Sequence, residues 1–166
     1  MPPRYLLDTN TASYIIKGNI PRVRERLLTV HMSQILISAV TEAELLFGAA
    51  RKREAVRLKT AIDEFLLRVD SLPWDSHAAR CYASLRAALE IGGIPMGNLD
   101  MMIAAHALAV EAVLVTNDRS FRRLKYLKIR DWTEQKPLRP CRYRELHSPP
   151  SMVAVVAIST QLKLPS

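Results

Sequence analysis

Four acidic residues stand where alternating strands and helices would bring them to one edge of a sheet. Asp8 closes the apolar run of "YLLDTN", and Asp118 closes "VLVTND", so each carboxylate follows directly on a candidate strand. Glu44 lies in the first turn or so of the helical pattern after "QILISAV", and Asp100 opens the apolar helix "LDMMIAAHAL". In an open parallel sheet ligands bind beyond the carboxyl ends of the strands, and the helix starts lie along that same edge. Carboxylates gathered there repel one another and raise one another's pKa unless a cation intervenes. With only oxygen donors the fitting cation is hard, Mg²⁺ or Mn²⁺ rather than zinc. Such a cluster suits activation of water for in-line attack on a phosphodiester.

Each acid also has a purely structural reading. An acid in the first turn of a helix caps it or complements its dipole, which would account for Asp100 and Glu44. Asp8 and Asp118 would serve equally as Asx-turn residues. Against that stands the setting of Asp100, which leads straight into a helix apolar enough to be buried, where free charge is rare. Glu42, two residues from Glu44, should point elsewhere on the helix. The four histidines, His31, His77, His106 and His147, form no metal spacing, and His106 reads as a hydrogen-bonded core or rim residue. No P-loop, G-x-S-x-G or G-x-G-x-x-G occurs, which removes kinase, serine-hydrolase and dinucleotide readings.

The elements that must position these acids are legible as alternation. Apolar runs at Tyr5 to Leu7, Ile35 to Val40 and "VLVTND" are interleaved with "TASYIIKG", a long pattern from Thr41 to about Val69, "DSHAARCYASLRAALEIGG" and "LDMMIAAHALAVEA". This is the α/β signature of a mainly parallel sheet covered by helices. Asp75 or Ser76 should cap the third helical pattern and Gly92-Gly93 should close it. After Trp132 the character changes: residues 133–166 hold five of the ten prolines and show no periodicity before "MVAVVAI". Residues 1–132 therefore read as one domain, and 133–166 as an appended Pro-rich tail, disordered or loosely docked. "MVAVVAI" could instead add an edge strand or self-associate.

The 166 residues are 49% hydrophobic with a net charge of +8, enough for one cored domain and favouring a polyanion such as nucleic acid, or an acidic protein partner, over a neutral one. Basic residues cluster at Arg22, Arg24 and Arg26, at Arg51, Lys52, Arg53, Arg57 and Lys59, and in "RSFRRLKYLKIR". The third cluster, with Arg119, Arg122 and Arg123, follows Asp118 and would stand beside the acidic rim, where a phosphate backbone needs cations. Two cysteines far apart, Cys81 and Cys141, suggest a reducing cytosol, and nothing resembles a signal peptide or membrane span.

The blocks "LLDTN", "ISAVTEAELLFGA", "GNLDMMIAAHALA" and "VLVTNDRSF" followed by "KIRDW" resemble, in order, the PIN-domain ribonucleases, specifically the VapC toxins of bacterial toxin-antitoxin pairs. The resemblance runs from about residue 4 to Trp132. It implies a three-layer α/β/α sandwich, and matches Asp8, Glu44, Asp100 and Asp118 to the family's acidic quartet, with Asn10, Thr116 and Asn117 as supporting polar residues. It further implies Mg²⁺- or Mn²⁺-dependent endoribonuclease activity, often on tRNA, a homodimer in the bacterial cytoplasm, and neutralisation by a cognate VapB-like antitoxin. Two rival readings remain: a non-catalytic PIN-like module that binds RNA or protein, and a haloacid-dehalogenase-type phosphatase. The latter requires a second Asp at position 10, which is Asn.

Overall fold

The computed structural model describes residues 2–51 and 56–134. The expectations for the tail from 135 onward, "MVAVVAI" included, and for Lys52 and Arg53 lie outside the described residues. Strands β1 (Tyr5–Leu7), β2 (Ile35–Ser38), β3 (Asp70–Leu72), β4 (Val113–Val115) and β5 (Ile129–Arg130) form one sheet of order β3-β2-β1-β4-β5. Every neighbouring pair is parallel, with Leu6 in register between Leu36 and Leu114. Helices α1 (Thr9–Lys17), α2 (Pro21–Leu28), α3 (Ala39–Ala50), α4 (Val56–Leu66), α5 (Ser76–Ile91) and α6 (Asn98–Ala109) connect the strands.

Side chains on a strand alternate between faces, and the core divides accordingly. Leu6, Leu36 and Leu114 pack with Leu89, Met101, Ile103 and Ala104 of α5 and α6. Leu7, Ile35, Ile37 and Val115 pack on the other side with Ala12, Val23, Leu45, Ile62 and Phe65 from α1 to α4. The result is the expected helix–sheet–helix sandwich. Leu6, Leu7, Ile35, Ile37, Leu114 and Val115 are fully buried. Truncating any such residue to Ala costs about 2–5 kcal/mol. The ion pairs Arg68–Glu64 and Arg86–Glu90 are exposed and contribute under about 1 kcal/mol each. Apolar burial on both faces of the sheet therefore holds the fold. Helix α6 is apolar all round, with Met101 and Ile103 to Ala107 buried, as a helix sealed between sheet and neighbours must be.

The structure refines several boundaries. β2 ends at Ser38 rather than Val40, because the Ser38 hydroxyl accepts the Val40 N–H and starts α3. The pattern from Thr41 to Val69 is two helices, α3 and α4. The segment read only as a basic cluster is α2, entered through Pro21 at its first position and anchored by Val23, with Arg22, Arg24 and Arg26 exposed. Strand β3, "DSL", has no buried residue and carried no apolar signal. Asp75 is the cap of α5, accepting from His77 and Ala78 N–H at 2.9 Å each. Among the described residues no helix is long and apolar enough to cross a membrane.

Candidate functional site

Strand order decides where the acids meet. From β1 the chain moves outward to β2 and β3, then returns to lay β4 against the other side of β1. The turn-around lies between β1 and β4, and at such a switch point the connections leave a crevice beyond the strand ends. Asp8 follows β1 and Asp118 follows β4 by three residues, so both acids belong to that crevice. The Asp8 N–H donates to Val115 O at 3.1 Å, tying the two strand ends together.

Asp8 is buried, at 3% exposure, and caps α1 by accepting the Thr11 N–H at 2.6 Å. Burial pushes its carboxyl above the usual range. Hydrogen bonds from Thr11 and Thr116 act in the opposite direction, and the Asp118 charge adds to the rise. The buried Thr116 hydroxyl also accepts the Asp118 N–H at 3.0 Å, so one side chain links the two acids. Asp118 caps the short 3₁₀ turn Arg119–Arg123 through the Ser120 N–H at 2.7 Å. Asp8 and Asp118 thus have local structural roles, as the Asx-turn reading allowed, yet both lie on the crevice.

Asp100 is the third residue of α6, whose cap is Gly97. Its carboxyl is raised first by burial and then by the charges of Asp118, Glu44 and Asp8, in that order. The structure thus brings the other three sequence-selected acids within electrostatic reach of Asp100. Glu44 lies in the second turn of α3, not the first, so neither capping nor the helix dipole accounts for it. Its Oε2 instead accepts the Thr9 hydroxyl of α1. Glu42 occupies the first turn and bonds Ser71 of β3, away from the cluster. Among the described residues no three His, Cys, Asp or Glu side chains close around a point where an ion would be held. Local bonds engage three of the acids: the caps on Asp8 and Asp118 and the Thr9 bond on Glu44.

The supporting residues divide. Thr116 bridges Asp8 and Asp118, and Asn117 donates to the Tyr14 hydroxyl at 3.3 Å. Asn10 is exposed and lines a cavity of about 240 Å³ between α1, α3 and α4, together with Thr9, Ser13, Lys17 and Glu44. Arg119 adjoins Asp118 and is exposed. Arg122 is paired with Glu134 at 2.6 Å and Asp131 at 3.8 Å. Arg123 lines an apolar groove with Leu85, Leu89 and Leu108.

Residues that sequence reasoning passed over hold the acids. Thr9 secures Glu44, Thr11 caps under Asp8 and donates to Val115 O at 3.0 Å, and Tyr14 secures Asn117. The only signal was their proximity to Asp8 in "DTNTASY". His106 is a buried, hydrogen-bonded histidine: its Nδ1 lies 2.8 Å from Ser38 Oγ, and burial lowers its pKa, with Asp75 acting weakly in the other direction. A Ser–His pair with an acid nearby invites a nucleophile reading, but Ser38 and His106 are 0% and 2% exposed, so no substrate reaches them.

The family model of the PIN domain matches residues 5–126. Over 130 residues the chain is 36% identical to the tRNA(fMet)-specific endonuclease VapC of Salmonella typhimurium, spanning 78% of this chain and 98% of that protein. It is 33% identical to Ribonuclease VapC2 of Rickettsia felis, across 77% of this chain and 97% of that one. Among solved structures, it matches a chain of the DNA-bound VapBC complex from Salmonella typhimurium with a TM-score of 0.74 and 36% identity, covering 79% of this chain and 99% of that one.

Proposed function

The chain belongs to the PIN-domain family, among its VapC ribonucleases, and from that membership we propose that it is a metal-dependent endoribonuclease acting as the toxin of a toxin-antitoxin pair. The observation that carries the chemistry is the strand order that sets the ends of β1 and β4 side by side, with Thr116 linking Asp8 and Asp118 at the switch-point crevice and Asp100 near enough to feel Asp118, Glu44 and Asp8. Four carboxylates at one crevice are the donors a cation would draw together, and an all-oxygen donor set fits Mg²⁺ or Mn²⁺. Asp8, Glu44, Asp100 and Asp118 would hold the ion. When bound, it supplies activation of water and charge stabilisation at the leaving oxygen.

The chain's own residues orient the site. Thr11 and Thr116 fix the Asp8 carboxylate, Thr116 also fixes the backbone of Asp118, and Thr9 fixes Glu44. Arg119, exposed and next to Asp118, is placed to contact an RNA phosphate. The Glu134 and Asp131 carboxylates already partner Arg122, which leaves it less suited to that task. The cavity beside Glu44, with Lys17 and Asn10 on its wall, offers room for a nucleotide next to the acids. A VapB-like antitoxin is the expected partner, since the matched solved chain comes from a complex titled VapBC. A tRNA substrate and a homodimer are further parts of this reading.

The test combines chemistry with physiology. Purified protein incubated with total cellular RNA should cut it in Mg²⁺ and not in EDTA, with new 5′ ends clustered at few positions. Expression alone should arrest bacterial growth, and co-expression of the neighbouring gene should relieve the arrest. RNA left intact in Mg²⁺ by folded protein would favour the non-catalytic module instead.

The domain reading yields its own expectation. Trp132 is 5% exposed and stacks on Tyr5 with ring centroids 5.6 Å apart, so the core needs the chain to that point. Truncation after Trp132 removes the Glu134 partner of Arg122, an exposed pair that contributes under about 1 kcal/mol. Melting temperature and cleavage should therefore stay close to those of the full chain. A drop of 10 °C or more, on the order of 3 kcal/mol for a domain of this size, would assign the tail a structural role.

A further inference from the structure

The N-cap of α6 is a glycine whose missing side chain leaves space for one atom in particular. Gly97 has φ −63° and ψ 144°, an extended conformation open to any residue, so backbone strain does not call for glycine here. A Cβ built on Gly97 would lie 2.9 Å from Asp100 Oδ2 and 3.6 Å from its Cγ, and within 4 Å of no other heavy atom beyond its chain neighbours and its own helix. The Asp100 carboxylate thus curls back over the cap and occupies the volume that any other residue at 97 would fill. Because the obstructed atom ends a short rotatable side chain, relief costs the fold little. It would be achieved by swinging Asp100 away, toward or past the other acids.

We propose that Gly97 is a positioning residue for Asp100: by lacking a Cβ, it leaves open the place where this carboxylate stands, which any other residue at 97 would close. The inference rests on the metal-site reading above and deepens it. Glycine is not otherwise the favoured cap, since Ser, Asn and Asp cap better; Ala caps worse than glycine, although in an accessible conformation it lowers the entropy of the unfolded chain. Stability and site geometry therefore make opposite demands at position 97. Substitution should separate them.

The experiment uses Gly97→Ala, Gly97→Ser, Asp100→Asn and the parent as full-length chains. Three readouts are taken: the melting temperature without metal, calorimetric titration with Mn²⁺ alone, and RNA cleavage. Gly97→Ala should melt near the parental temperature, the poorer capping by alanine offsetting the lower entropy of its unfolded chain, and Gly97→Ser should melt higher because it supplies a capping hydroxyl. Both should bind Mn²⁺ and cleave RNA roughly ten- to a hundredfold less well, the range found when a residue orienting a metal ligand is lost. Parental Mn²⁺ affinity and cleavage in both Gly97 variants, with Asp100→Asn impaired, would overturn the positioning role alone. If Asp100→Asn also matches the parent, the metal-site reading fails first. A large drop in metal-free melting temperature in both Gly97 variants would make the glycine a structural requirement, which equally overturns the proposal.

Discussion

Asp100→Asn and Asp8→Asn should lose Mg²⁺-dependent RNA cleavage by roughly a hundredfold or more, equivalent to about 2.7 kcal/mol of transition-state stabilisation, while the folded protein should become no less stable without metal. Glu44→Gln is expected to fall as far, and Asp118→Asn less. Each substitution keeps shape and removes one negative charge. At Asp8 the helix cap survives, because asparagine caps as well as aspartate, so the change isolates the charge from the Thr11 bond. At Asp100, loss of its charge ends the repulsion from Asp118, Glu44 and Asp8. Added Mg²⁺ should raise the parental melting temperature by linkage and do less for each variant.

The pH dependence of the metal-free protein follows from the same shifts. Asp8 and Asp100 have folded pKa values raised above the ordinary 3.8. Their contribution to stability is complete below that ordinary value and is lost as pH rises through the raised one. Metal-free parent should therefore lose stability between about pH 4 and neutrality relative to the Asp100→Asn variant. Metal removes the difference. Equal pH profiles for the two, together with parental cleavage by Asp8→Asn and Asp100→Asn, would reduce these acids to caps.

The second large effect concerns stability. His106→Ala should cost about 3 kcal/mol, since it opens a cavity at a side chain 2% exposed and leaves Ser38 Oγ without its 2.8 Å partner while that oxygen caps α3. His106→Leu fills most of the space and should cost less, about 1–3 kcal/mol, for the unpaired hydroxyl alone. The parental pair carries a pH signature. Burial holds His106 below its ordinary 6.5. The unfolded chain then binds the proton first, and stability falls as pH drops below about 6.5 toward the depressed folded value. Denaturant unfolding of parent and His106→Leu at pH 7.5 and 5.5 should show the gap narrowing at the lower pH. A gap that widens on acidification would mean the imidazole is charged in the fold.

Much of the architecture was legible because parallel strands buried on both faces must be apolar runs, and Tyr5 to Leu7, Ile35 to Val40 and "VLV" are such runs. Helix α6 announced its burial by being apolar all round, and Asp75 announced a cap. What was not legible had no hydrophobic signature: β3 has no buried residue, and α2 is held by Val23 among exposed arginines. The two residues of β5 owe their pairing to Leu114 and Val115, a partner no local pattern names.

The same division runs through the site. The sequence by itself determined which acids were candidates, because Asp8 and Asp118 end apolar strands, Asp100 leads a buried helix and the chain is basic around them. It left open whether they were caps or a cluster, since a cap needs only local backbone and a cluster needs distant segments. Tertiary structure supplies the proximity on which the cluster reading rests. The order β3-β2-β1-β4-β5 puts the ends of β1 and β4 side by side, and only then do Glu44 and Asp100 reach the same crevice. Thr9 on Glu44, Thr116 between Asp8 and Asp118, and the space above Gly97 exist only in three dimensions. Residue types and spacing select what can bind a cation, whereas distances between segments far apart in sequence are set by packing and strand order.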